Sequence, residues 1–101
     1  MIVVSKEQIK ELITRRRRQI LVHSIIYYRN NDNLITDVQY DLWSTELQEL
    51  QHKYPKLANE CVYAKDFDGF EGSGFNLPLG DPWALNTANR LINYIEKQKK
   101  V

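Results

Sequence analysis

The sequence predicts an all-α protein: an antiparallel helical hairpin, then a long ordered loop, then a C-terminal third helix. Two stretches open with capping boxes, Ser5-Lys6-Glu7-Gln8 and Thr36-Asp37-Val38-Gln39, and a third opens with Asp81-Pro82. Each is followed by apolar residues at helical spacing. A chain of 101 residues has one modest core, so a single domain over 1–101 is expected. Within it the hairpin covers 5–57, a Gly- and Phe-rich loop 58–80, and the last helix 81–99.

In the first helix, Ser5 and Gln8 satisfy free amides of the helix start, and nothing breaks the helix before about Tyr28. Ile9, Leu12, Ile13, Ile20 and Tyr27 fall on one side at about 100° per residue. Arg29-Asn30-Asn31-Asp32-Asn33 then favours a turn, because Asn and Asp bond their own backbone and tolerate positive φ. In the second helix Tyr40, Trp43, Leu47, Leu50 and Tyr54 form one stripe, which Pro55 ends. Two helices joined by so short a link most simply fold back on each other.

The stretch Asp66-Phe67-Asp68-Gly69-Phe70-Glu71-Gly72-Ser73-Gly74-Phe75 has no sustained period and reads as an ordered loop. Phe67, Phe70, Phe75 and Leu77 are expected to pack across the hairpin and seat the third helix. That helix starts with Asp81 as N-cap and Pro82 at its first position. Ala84, Ala88, Leu91 and Ile95, with Leu85 and Ile92, give its apolar face, and Lys97-Gln98-Lys99-Lys100 suits its C-terminus.

A formal charge of +1 gives no field that would gather nucleic acid. Arg15-Arg16-Arg17-Arg18 does not change this, since four consecutive helical residues fan through about 300°. Arg15, Arg17 and Arg18 are expected in solvent. Arg16 falls near the apolar side and needs an acidic partner (Asp37, Asp41 or Glu46) or a phosphate. The single cysteine, Cys61, cannot close an internal disulfide. Cys61 and His52 have no metal-ligand spacing. With no signal-peptide core and no apolar run of membrane-spanning length, a cytoplasmic protein is expected.

The corner between the first two helices gathers the residues of chemical interest. Arg16, Ile20, His23 and Tyr27 share a sector of about 60° on the first helix. The second helix begins with Asp37, Tyr40 and Asp41, the two carboxylates one turn apart. Aromatic faces and carboxylates suit a flat, electron-poor ring with polar edges. Taken alone, the same residue types also suit core tyrosines and helix caps.

Their order adds information. His23-Ser24-Ile25-Ile26-Tyr27-Tyr28, the polar turn with Asp32, and Ile35-Thr36-Asp37-Val38-Gln39-Tyr40-Asp41-Leu42 are followed by a Glu-Leu-rich helix and Tyr54-Pro55. Over roughly residues 10–57 this closely resembles the N-terminal Ia domain of bacterial NAD-dependent DNA ligases. The whole chain is also similar to short ligase-related proteins of phages and prophages. In the ligases this domain closes over the nicotinamide mononucleotide (NMN) half of NAD. The resemblance therefore implies that Tyr27 and Tyr40 pack on the nicotinamide nucleoside and that Asp37 and Asp41 contact its polar edges. Tyr28 would hold a position that contacts phosphate or ring, with His23 at a less defined family position.

Two departures matter. Asn33-Leu34 stands where the family usually has proline. Lys65-Asp66-Phe67-Asp68-Gly69 spaces Lys and Asp-Gly one residue wider than the Lys-x-Asp-Gly of the nucleotidyltransferase domain. The expectation is a non-catalytic accessory protein of phage type. It would need no cofactor and would bind NMN, NAD or a derivative as ligand, as a sponge or sensor in counter-defence. The alternative is an interaction module that uses the hairpin as a scaffold to bind a host or phage protein. Nucleic acid and membrane are not expected partners, and the sequence sets no oligomeric state.

Overall fold

A computed structural model describes residues 4–30 and 34–99, apart from the side chain of Asn30. Residues 31–33 of the expected turn, with Asp32 and Asn33, lie outside the described residues, as does Lys100. The order is α1 (Lys6–Asn30), α2 (Asp37–Lys53), α3 (Pro55–Glu60) and α4 (Pro82–Lys99). The fold is all-α, with α1 and α2 antiparallel. At 25 residues α1 is roughly 37 Å long, which accounts for the elongated 46 × 31 × 23 Å envelope.

The helix starts follow the sequence signals. Ser5 N–H donates to Gln8 Oε1 (2.9 Å) and Gln8 N–H to Ser5 Oγ (3.1 Å), a complete capping box. Gln39 N–H donates to Thr36 Oγ1 at 3.0 Å. Ala84 N–H donates to Asp81 Oδ2 at 3.0 Å, and Tyr63 Oη donates to the same oxygen. Burial and that hydrogen bond push the Tyr63 phenol up to about 12.

Among the described residues four helices form, against three expected. Pro55 ends α2, but proline is also favoured at a first helical position, and here it opens α3 with Tyr54 shared between the two ends. The segment expected as loop from residue 58 therefore begins inside a helix.

Helix α1 packs on α2, α3 and α4, whereas α4 meets α1 alone among the helices. Ile13, Ile20, Leu21 and Ile25 are fully buried, with Ile26, Val22 and Ile9 nearly so. A single stripe would have left Leu21, Val22 and Ile25 outside. A helix gripped from two sides buries more than one stripe.

This second band corrects the reading of the arginine run. Counting Leu21 and Ile25 turns the centre of the buried arc away from Arg16 and toward Arg17. Arg17 is 2% exposed rather than in solvent. Its Nε donates to Gln51 Oε1 (3.0 Å), and its Nη1 to the carbonyl oxygens of Cys61 (3.3 Å) and Val62 (3.0 Å). Burial lowers its pKa from the ordinary value, which the neighbouring Cys61 opposes. Arg15 and Arg18 are exposed as expected, Arg15 on Glu11 and Arg18 over the half-exposed Trp83 ring at 5.1 Å.

Beyond α3 the chain is held by Phe67, which is fully buried 5.2 Å from Phe70, and by Leu77. Phe75 departs from expectation: it is 68% exposed and meets Tyr28 edge-on rather than seating α4. On α4, Ala84 and Ala88 are fully buried, with Leu85, Leu91 and Ile92 half-buried around them. No described helix is long and apolar enough to cross a membrane.

Arg17→Met should lower unfolding free energy by about 2–4 kcal/mol, because it removes the donors to the Cys61 and Val62 carbonyls and to Gln51, the first of them buried. Arg15→Ala, which breaks an exposed pair, should cost under about 0.5 kcal/mol. Urea denaturation of the two variants checks the contrast.

Candidate functional site

The closed end of the α1–α2 hairpin holds a cavity of about 230 Å³. Helix α1 contributes His23, Ser24, Tyr27 and Tyr28; residues 34–36 and the start of α2 contribute Leu34, Ile35, Thr36, Asp37 and Tyr40. Gly72 and Gly74 of the loop complete it. Antiparallel pairing brings the two groups together, by setting the C-terminal turns of α1 beside the first turns of α2.

Ser24 and Tyr40 join the helices through a hydroxyl–hydroxyl hydrogen bond of 3.0 Å. Tyr27 and Tyr28 are 52% and 42% exposed, their rings edge-to-face at 4.9 Å. Tyr27 shares the helical angle of the core stripe, yet here it faces the cavity rather than the core. Asp37 begins α2, where the helix dipole favours a carboxylate. The described lining holds this carboxylate and no lysine or arginine.

His23 stacks on Trp43 at 5.6 Å, and its Nδ1 is buried without a hydrogen-bond partner among the described residues. Burial lowers its pKa, so the imidazole is held neutral. Burial likewise raises the Tyr40 phenol, against a smaller opposing pull from the Ser24 hydrogen bond. The described lining thus offers aromatic faces and the Asp37 carboxylate. Such a lining suits a flat cationic ring with polar edges.

Of the residues singled out in the sequence, His23, Tyr27, Tyr28, Asp37 and Tyr40 share this cavity. Asp41 and Arg16 are not among its lining residues. Asp41 is exposed one turn along α2. Arg16 donates from Nε to Glu46 Oε1 (2.6 Å) and from Nη1 to Gln19 Oε1 (2.6 Å). It has therefore taken the internal carboxylate that was one of its two options. Ser24, Gly72 and Gly74 were not anticipated; Ser24 lies one turn before Tyr28, whereas the glycines carry no local signal of their destination. Among the described residues no cluster could hold a metal ion.

A sequence profile of the family described as "DNA ligase-like, N-terminal NAD+-binding domain" matches residues 6–60. The DNA ligase of Thermotoga neapolitana is 35% identical over 102 aligned positions, covering 96% of this chain and 15% of the ligase. That of Fervidobacterium nodosum is 29% identical over 100 positions, covering 94% of this chain and 15% of the ligase. That of Pseudothermotoga lettingae is 43% identical over 78 positions, covering 72% and 12%. The chain thus spans about 15% of the length of the first of these relatives. No solved structure gives a significant match.

The buried neutral imidazole has a consequence for stability. The unfolded chain takes up a proton on His23 below about pH 6.5, whereas the folded one resists it. The unfolded state then binds more protons, so stability is full above that pH and falls as pH drops below it. The urea midpoint of the wild type should fall between about pH 7.5 and about pH 5.5 by more than that of His23→Gln. Equal falls would remove His23 as the cause.

Proposed function

The chain belongs to the DNA ligase-like N-terminal NAD+-binding domain family, and from that membership we propose that its hairpin-end cavity binds a nicotinamide nucleotide, holding it without turnover. The observation that carries this reading is convergence. His23, Tyr27, Tyr28, Asp37 and Tyr40 lie within the matched segment 6–60 and line one cavity. The oxidised nicotinamide ring is a flat cation with a carboxamide edge. Tyr27 and Tyr40 would lie against it, Asp37 would accept from the amide or a ribose hydroxyl, and Tyr28 would flank ring or phosphate. Asp41, one turn beyond Asp37, would reach the ligand from the rim.

On this reading NMN or NAD is a ligand, and the chain acts as a sponge or sensor for it. A place in phage counter-defence rests on the resemblance to short phage and prophage proteins. A second reading, in which the hairpin docks a host or phage protein, is favoured by Val38 and Leu42. These are 69% and 61% exposed one turn apart on α2.

Calorimetric titration with NMN, NAD and AMP should show saturable binding of the first two and none of AMP. Asp37→Ala and Tyr27→Ala, both at exposed positions, should each weaken NMN by about tenfold or more. Silence of the wild type at millimolar ligand would overturn nucleotide binding and favour the protein-docking reading.

A further inference from the structure

Residues 72–75 lie outside the segment that matches the family, yet they reach the hairpin-end cavity. Their path across the groove between α1 and α2 is tightly constrained. Gly72, at φ +109°, lies over α2, where a Cβ would come 3.3 Å from Ser44 Oγ and 3.4 Å from Gln48 Nε2. Gly74 is fitted more closely still. A Cβ there would stand 2.0 Å from Ser24 Oγ, 2.6 Å from Ser24 Cβ and 2.9 Å from Tyr40 Oη. Rotating the serine hydroxyl does not remove the clash with its Cβ. The backbone at Gly74 therefore sits on the Ser24–Tyr40 pair that joins the two helices. The next residue, Phe75, turns its ring outward to meet Tyr28 edge-on at 5.9 Å.

We propose that the 72–75 turn is a second wall of the nucleotide site: Gly72 and Gly74 close the cavity over the hairpin, and Phe75 extends the Tyr27–Tyr28 ledge at its mouth. The inference rests on nicotinamide-nucleotide binding as proposed above and adds the element that fixes the size of what enters. A two-helix hairpin end is an open surface; the turn makes it a cup of about 230 Å³. That is smaller than the roughly 300–1,000 Å³ of pockets that enclose a whole drug-sized ligand. The cup takes the nicotinamide ring and part of its ribose. The adenosine half of NAD stays outside, so NAD binds no more tightly than NMN. The wall comes from the same chain as the hairpin.

The test uses the full chain with NMN, NAD and 1-methylnicotinamide, a probe that carries the cationic ring without sugar or phosphate. Phe75→Ala removes an exposed side chain, so its melting temperature should match the wild type while its affinity for NMN falls about threefold to tenfold. The same fold loss is expected with 1-methylnicotinamide, since the contact is to the ring end. Gly74→Ala must lift the turn off Ser24, and NMN affinity should fall by about tenfold or more. Gly80→Ala, whose Cβ meets nothing within 4 Å, should change neither melting nor binding. Wild-type binding of NMN with unaltered affinity in Phe75→Ala and Gly74→Ala would overturn the second wall and leave the nucleotide reading intact. NAD binding more tightly than NMN would overturn the size limit. Silence of the wild type would overturn the nucleotide reading and this inference with it. Should Gly74→Ala not fold, Phe75→Ala decides alone.

Discussion

Arg17 of α1 donates through Nε to Gln51 of α2 and through Nη1 to the carbonyl oxygens of Cys61 and Val62, just beyond α3. No carboxylate pairs with it among the described residues. The charge is stabilised by backbone and amide dipoles and by the Phe67 ring 5.8 Å away. Such an arrangement holds together only when complete, because an uncompensated buried charge is costly. Gln51 extends it: its Oε1 accepts from Arg17 while its Nε2 donates to the Phe67 carbonyl at 3.0 Å. One guanidinium and one amide thus fix the hairpin, the end of α3 and the first anchor of the loop relative to one another. Arginine suits this position because its planar fork offers several donors in fixed directions.

The loop's later course depends on that anchoring. With Phe67 held under Gln51, the chain leaves for the groove between α1 and α2 and crosses it at Gly72 and Gly74. The residues beneath are small: Ser44 and Ser24, 3% and 1% exposed. Larger side chains there would keep the backbone away, and the hairpin end would lie open. The same closeness makes Gly74 intolerant of a side chain. The loop also reaches α4, where Tyr63 and the amide of Ala84 both donate to Asp81 Oδ2. Both ends of the long connection are therefore tied by hydrogen bonds to helix termini or helix side chains.

How much of this was legible depended on range. The caps at Ser5, Thr36 and Asp81 were read correctly because the interaction closes within three residues. The α2 stripe was also readable, since Leu47 is buried with Tyr40, Trp43 and Leu50 half-buried around it. The α1 sequence reads as single-sided because an amphipathic pattern assumes one partner, whereas the helix has partners on two flanks. The second flank is what buries Arg17 rather than Arg16. Helix α3 is hidden in the sequence because Pro55 reads as a stop, while the same residue also serves as a start. At the candidate site, residues within one hairpin could be named from order and spacing. Gly72 and Gly74 lie more than thirty residues from Tyr40, and where a loop lands is set by tertiary packing that no local pattern records.

The hairpin end is poorly built if folding alone is considered. Tyr27 lies at the same helical angle as Ile9 and Ile20, within about 20°, yet it is 52% exposed while Ile25 and Ile26 beside it are buried. Its neighbour Tyr28 turns to Phe75, which is itself mostly exposed, so three aromatic rings associate at the surface rather than in the core. In the same region the buried His23 Nδ1 has no hydrogen-bond partner among the described residues, a deficit of about 1–3 kcal/mol for an ordinary buried polar atom. A leucine in place of His23 would remove that deficit without touching a cap. Tyr27, Tyr28 and His23 all line one cavity, and Phe75 meets Tyr28 beside it. Local departures from good packing that cluster in this way are characteristic of a functional site. An occupant that covered the exposed rings would turn that surface into buried contact.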